Sequence, residues 1–221
     1  MPDVRGVLFD FGNTLFAHAP LAETIEVTCQ NLGTPCSAEW ANLLAARVEA
    51  AAHTVEELRH PRDFDAAVWR ARWHVLYALA DDEVPGLGAA IYAAMHDPLQ
   101  WRPYATATAT LARIHAAGMP IAIVSNTGWD VRSVFAEHHI NHLVEAFVLS
   151  YEVAAVKPDL SIFQAACDAI GVSPSDCLMV GDDARADVGA VAAGMRVLLV
   201  PVGEPGSDNG IDAAARIVVG E

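Results

Sequence analysis

Short apolar runs alternate with longer stretches of helical periodicity along this chain. Residues 6–10, 121–125, 146–150, 177–181 and 197–200 are mostly apolar and bounded by turn residues or charges, and each predicts a short buried strand. Helical patterns separate them: 105–117 ending at Gly118, 131–138, 161–170 stopping at Gly171, and 184–193 stopping at Gly194. A glycine just past a periodic stretch is a common helix end because it takes the left-handed conformation without a Cβ penalty. Strand and helix in alternation predict an α/β fold, a parallel sheet with helices on both faces. Residues 215–219 are apolar enough to add a short edge strand.

Residues 16–100 follow a different pattern. No convincing strand is present, and stretches 21–32, 38–52, 64–80 and 87–96 carry helical spacing, broken at Gly33, Pro61 and Pro85. Trp69 and Trp73 lie four apart on one helical face, where packing is their simpler role and substrate contact the alternative. The expected organisation is a core built from 1–15 and 101–221, with 16–100 as an all-helical insert.

Composition narrows the class. With 53 % hydrophobic residues in 221, the chain buries a sizeable core. No apolar run approaches the ~20 residues that span a bilayer, and no basic region precedes an apolar stretch at the start, so a cytoplasmic, membrane-free protein is expected. Cys29, Cys36, Cys167 and Cys177 lack C-x-x-C spacing and read as reduced structural thiols. The net charge of −15 argues against a nucleic-acid partner, which needs a basic footprint. A phosphorylated substrate would therefore be drawn in by local positive charge or a cation.

The basic residues are chosen unevenly. Twelve of the 13 are Arg, and Lys157 is the only lysine. It stands in Val156-Lys157-Pro158 at the start of a predicted helix, and a lysine supplies a compact point charge where arginine supplies a planar fork.

Other chemistry-bearing residues gather at strand ends. Asp10 follows 6–9 and leads into the turn Phe11-Gly12-Asn13-Thr14; Ser125-Asn126 closes the second strand; Asp182, Asp183 and Asp187 follow Gly181. The carboxyl ends of strands are where open α/β sheets hold ligands. Taken singly, these are strand-end turn residues or helix caps, and Asp183 is placed to cap a helix. A dense acidic cluster also attracts a cation, and Mg²⁺ takes a few carboxylates plus waters and phosphate. His138 and His142 are four apart, but a polar helix end is a simpler reading than a metal site.

In this order, Asp10, Ser125, Lys157 and Gly181-Asp182-Asp183 with Asp187 resemble the haloacid dehalogenase superfamily, mostly phosphohydrolases with an aspartate nucleophile. The resemblance implies a Rossmann-like core with a helical cap inserted after the first motif. It assigns Asp10 as nucleophile, Ser125 as a hydrogen-bond donor to phosphate beside the Gly12–Thr14 loop and Asn126, and Lys157 as the group that holds Asp10 near the phosphate. It assigns Mg²⁺ to Asp10, the carbonyl of Gly12 and Asp182, with Asp187 and Asp183 acting through waters or orienting Lys157. The substrate would be a small phosphorylated molecule, and relatives with such caps often pair, so a homodimer is compatible.

One position departs from the family pattern. The phosphatases carry a second Asp two residues after the first, which protonates the leaving oxygen and later activates water; here that residue is Gly12. General acid–base help is worth about 10²–10⁴-fold. Three outcomes stay open: substrates with good leaving groups such as acyl or aryl phosphates, a substitute such as His18, or slow or absent turnover. Hydrolytic dehalogenation of a 2-haloacid is the alternative activity, although those relatives need no metal, lack the full acidic set and tend to carry an aromatic residue at this position. A Schiff-base mechanism on a cap lysine is excluded, because 16–100 contains no lysine. A binding or regulatory protein on a degenerate scaffold is the third reading.

Overall fold

The computed structural model describes residues 4–220. The chain runs β1 (Gly6–Phe9), β2 (Phe16–His18), α1 (Leu21–Asn31), α2 (Ala38–Ala52), α3 (Ala66–Tyr77), α4 (Leu87–Met95), β3 (Trp101–Pro103), α5 (Ala107–Ala116), β4 (Ile121–Ser125), α6 (Arg132–Glu137), β5 (Ala146–Leu149), α7 (Ser150–Val153), α8 (Leu160–Ile170), β6 (Cys177–Gly181), α9 (Gly189–Ala192), β7 (Arg196–Leu199) and α10 (Asp212–Val219). Single 3₁₀ turns punctuate the helical region, one of them at Arg62–Phe64.

Five strands form one parallel sheet in the order β5-β4-β1-β6-β7. The order reverses at β1, so β1 ends in the crevice where doubly wound sheets hold ligands. Strand side chains alternate between faces, and here both faces are buried. Val7, Phe9, Ile121, Ile123, Leu178 and Val180 join one core with Leu111, Phe135 and Ala214. Leu8, Ala122, Val124, Cys177 and Met179 join the other, with Ile162, Phe163, Ala166 and Ile170 of α8. Each fully buried Leu, Ile or Phe contributes about 1.5–3 kcal/mol, so both layers hold the sheet. Helix α8 is capped at one end by the Asp159 carboxylate, which accepts the Ser161 N–H at 2.9 Å, and ends on Gly171 at φ 66°.

Helices α1–α4 build a third core of their own, with Ile25, Leu44, Val48, Leu76, Tyr77, Leu87 and Ile91 at its centre. This helical segment is inserted between β1 and the rest of the sheet. Its two connections are paired as a small antiparallel ribbon, β2 with β3, in the register Phe16–Pro103, Ala17–Arg102 and His18–Trp101. No helix among the described residues is long and apolar enough to cross a membrane. The four cysteines are unbridged.

Three expectations are corrected. Residues 215–219 belong to α10, not to an edge strand: Ile211, Ala214, Ala215 and Val218 recur at helical spacing against the core, and Arg216 pairs with Asp212 one turn back. The stretch from 16 does contain a strand, β2, whose partner lies at the far end of the insert. The helix expected over 184–193 is reduced to α9, because the preceding chain folds into turns that carry Asp187 inward. The Asp187 N–H donates to the Asp183 carbonyl at 2.8 Å and the Asp183 N–H returns to Asp187 Oδ2 at 3.0 Å.

Candidate active site

The carboxyl ends of β1, β4 and β6 deliver Asp10, Ser125 and Asp182 to one cavity of about 360 Å³, which Gly12, Asn13, Asn126, Lys157 and Asp183 also line. Lys157 stands between two carboxylates, with Nζ 2.9 Å from Asp10 Oδ2 and 2.7 Å from Asp187 Oδ1. Lys157 and Asp187 are buried, while the Asp10 side chain keeps 14 % exposure.

Each of these groups is held by a defined partner. Asp10 Oδ1 accepts the Phe11 N–H at 2.7 Å. Thr14, fully buried, donates its hydroxyl to Asp182 Oδ1 at 2.8 Å. Asp187 sits under Gly181, where a Cβ would lie 2.0 Å from its Oδ2, so only glycine lets this carboxylate reach Lys157. Asn126 clamps the backbone of Lys157 twice: its Oδ1 accepts the Lys157 N–H at 2.7 Å and its Nδ2 donates to the Lys157 carbonyl at 3.0 Å. Asp183 is turned away from this cluster, its Oδ1 accepting the Arg185 N–H at 2.8 Å.

The electrostatics follow from burial and an excess of negative charge. Burial raises Asp10 from 3.8 to about 6; Asp187 and Asp182 add to the shift and Lys157 offsets part of it. Burial likewise raises Asp182, against the hydrogen bond from Thr14. For Lys157 burial works towards loss of the proton, but Asp10 and Asp187 outweigh it and hold the ammonium above its ordinary value. Three carboxylates offer oxygens within 4.8 Å of one another, the sole cluster of this kind among the described residues. A single ammonium leaves that cluster short of positive charge. Hard oxygen donors with surplus negative charge suit Mg²⁺, so the residues present fit the cation that the fold family implies.

The remaining cavity wall is aromatic. Trp69, Trp73, Tyr77, His96, Trp101, Trp129 and Phe11 line it with Met95. Ring centroids run in unbroken contact from Trp73 to Trp69 at 5.7 Å, to His96 at 6.3 Å, to Trp129 at 5.2 Å, to Trp101 at 6.0 Å and to Phe11 at 4.7 Å. Trp69 of α3 meets the loop after β4 at Gly128, where a Cβ would come within 2.2 Å of the Trp69 Cβ. Ser150 ties the same two regions by donating its hydroxyl to the Asp63 carbonyl at 2.5 Å while accepting the Thr127 N–H at 2.9 Å. The sequence alone assigns no role to Gly128 and Trp129, because their partners Trp69, His96 and Trp101 lie far along the chain.

Two histidines stand apart from proton transfer. His18 does not line the cavity, and its ring nitrogens face the carbonyls of Ala19 and Ala94 at 2.9 and 3.3 Å. His96 does line it, but Trp69 Nε1 donates to its Nε2 at 3.0 Å and its Nδ1 faces the Tyr92 carbonyl at 2.8 Å, which assigns the proton to Nδ1. Burial lowers its pKa and keeps the ring neutral. His138 joins no metal cluster and faces the Trp101 carbonyl at 2.8 Å.

A doubly wound sheet that gathers carboxylates and a buried lysine at its switch point has the architecture of an α/β enzyme. The family model of haloacid dehalogenase-like hydrolases matches residues 4–194, and the chain belongs to that family of hydrolases. It is 28 % identical over 236 residues to a glyceraldehyde 3-phosphate phosphatase of Methanopyrus kandleri, covering 94 % of this chain and 91 % of that protein. Among solved structures it resembles a phosphatase of the same superfamily from Thermococcus onnurineus, with a TM-score of 0.65 at 20 % identity and 99 % of each chain covered. It resembles a 2-haloacid dehalogenase from Pseudomonas syringae equally well, with a TM-score of 0.66 at 20 % identity and 98 % of each chain covered. Fold alone does not choose between the two chemistries.

Proposed function

We propose that the protein is a Mg²⁺-dependent phosphohydrolase of small phosphorylated molecules, with Asp10 as nucleophile and residues 16–100 as a cap over the site. The observation that carries this reading is the surplus of carboxylate around a single buried lysine, Asp10, Asp182 and Asp187 against Lys157. That surplus calls for a cation and suits a phosphate between the two charges.

Asp10 attacks phosphorus through a carboxylate oxygen. The bond to the leaving oxygen breaks, and that oxygen departs with the electron pair. Water then attacks the phosphorus of the aspartyl-phosphate, the Asp10–phosphorus bond breaks, and inorganic phosphate leaves with the proton lost to solvent. Lys157 aims the Asp10 carboxylate and offsets charge on the transferring group. Asp187 positions Lys157, and Asn126 fixes its backbone. Ser125 donates to a phosphate oxygen beside the Gly12–Thr14 loop. Asp10, Asp182 and the Gly12 carbonyl would hold Mg²⁺, with Thr14 orienting Asp182; the ion supplies charge neutralisation for the phosphate. The cap excludes water during the transfer.

Gly12 favours a second reading, hydrolytic dehalogenation of a small 2-haloacid, because no acid stands two residues after the nucleophile. The acidic set around Lys157 opposes it. The test is phosphate and halide release from matched panels, with Mg²⁺ and with EDTA. Mg²⁺-dependent phosphate release that vanishes in Asp10→Asn supports the phosphatase; phosphate release that survives Asp10→Asn sinks it; metal-independent halide release makes the dehalogenase the better reading.

A further inference from the structure

We infer that the substrate is an aryl phosphate monoester, a phosphate carried on the phenolic oxygen of one flat, uncharged ring. This deepens the phosphatase reading and rests on it. Two independent features of the cavity converge on this chemistry.

The first is the wall. Trp69, Trp73, Trp101 and Trp129 border the same space as Asp10. Aromatic faces attract flat rings through burial and offset or edge contacts worth about 0.5–1.5 kcal/mol each beyond area. The wall offers no handle for an anionic leaving group. Lys157 is the only Lys or Arg among the cavity-lining residues, it is held by Asp10 and Asp187, and His96 is neutral. A carboxylate or second phosphate on the leaving group would lie unpaired beside Asp182 and Asp183. A cavity of about 360 Å³ suits a single-ring ligand.

The second feature is the absence of an acid at position 12. Gly12 has no side chain, His18 does not line the cavity, and both ring nitrogens of His96 are engaged elsewhere. An alkoxide, comparable in basicity to hydroxide with water's pKa of about 16, needs a proton as it leaves. A phenolate, with a conjugate acid of pKa about 10, leaves without one. Nucleoside phosphates offer the wall a flat ring but leave as alkoxides, and sugar phosphates meet neither demand. Acyl phosphates meet the second but not the first. An aryl phosphate meets both.

Gly12 and Trp101 connect the two features. A Cβ at position 12 would stand 3.8 Å from Trp101 Cζ3, an ordinary contact, so a side chain at this position would begin beside the wall.

The test is kcat/KM for phenyl phosphates of graded leaving-group pKa, ethyl and glycerol phosphate, a sugar phosphate and acetyl phosphate, with Mg²⁺. We expect phenyl phosphate to exceed the alkyl esters at least ~100-fold, the size of absent acid catalysis, and the rate to fall as phenol pKa rises. Trp69→Leu and Trp101→Leu, checked by thermal melts, should raise KM for phenyl phosphate at least several-fold more than for acetyl phosphate. Gly12→Asp, a second probe that leaves the wall residues in place, should narrow the aryl-to-alkyl ratio about tenfold or more. Alkyl or sugar phosphates turned over as well as aryl ones, or tryptophan variants that move both KM values equally, overturn the inference and leave the phosphatase reading standing. No phosphate release from any substrate overturns both.

Discussion

Lys157 and Asp10 meet at 2.9 Å within a cluster that holds two further carboxylates, Asp182 and Asp187, so the chain's only lysine is the internal counterion of Asp10. Removing one member of a buried ion pair costs about 3–5 kcal/mol because the other charge is stranded. Lys157→Ala should lower the unfolding free energy by about that amount in urea titration and abolish phosphate release. Lys157→Arg should not restore activity, because a planar fork does not fit the point between Asp10 and Asp187.

Protons and Mg²⁺ should compete for the cluster. Asp10 carries its proton up to about pH 6, and a carboxylate ligand must lose its proton to bind metal. One competing proton at that value weakens apparent Mg²⁺ affinity about tenfold between pH 7 and pH 5, which calorimetry at the two pH values reads directly. Without metal the stability linkage runs the other way. The folded value lies above the ordinary 3.8, so this group's contribution is complete below 3.8 and lost as pH rises through about 6. Thermal melts of EDTA-treated protein between pH 4 and 7 should show the loss; Mg²⁺ should stabilise most at the alkaline end.

Gly128→Ala tests the contact that joins the helical segment to the sheet. Its Cβ would fall 2.2 Å from the Trp69 Cβ and 2.4 Å from Cγ, so α3 must move away. Overpacking of this kind costs about 1–3 kcal/mol. The expected result is a lower melting temperature and a raised KM, since Trp69 also lines the cavity.

Glu57 supports the aromatic wall from behind. Its carboxylate pairs with Arg72 and with Arg62 at 3.6 Å, and the Arg62 guanidinium lies 5.0 Å over the Trp73 ring. The hydrogen bond from Arg72, against some burial, holds Glu57 below its ordinary 4.5. Its contribution to stability is therefore present above pH 4.5 and is lost as pH falls through the lower folded value. Glu57→Gln should be less stable than the parent at pH 7, and the difference should shrink below pH 4.5 in thermal melts.

The core strands were legible in the sequence because each is a short apolar run bounded by turn residues or charges. The order of Asp10, Ser125, Lys157 and Asp182 pointed to one site before any geometry was known, and the structure gathers them. Residues 215–219 differ from the expected strand because four apolar residues and one arginine fit either period; the helical spacing shows only when Ile211 and Ala214 are included. Strands β2 and β3 were missed because three-residue strands carry little local signal and pair across the whole helical segment. The roles of Asn126 and Gly128 were hidden for a related reason, as each is defined by a distant partner, Lys157 in one case and Trp69 in the other. The aromatic wall is contributed by separate helices, strands and loops, and no window of sequence contains it.

The pairing of Phe16 with Pro103 has a consequence for how such a chain can diversify. It brings the entrance and exit of the helical segment side by side, one strand spacing apart at about 4.8 Å. The excursion between them is closed at its base, so residues can be gained, lost or exchanged within it without shifting the register of β1 against β4 or β6. The clustered carboxylates and their lysine belong to the sheet and its loops, whereas Trp69, Trp73 and Tyr77 belong to the excursion. On the proposed reading, the part of the wall that the excursion supplies can therefore drift, while the part built from Phe11, Trp101 and Trp129 is tied to the same frame as the bond-breaking groups.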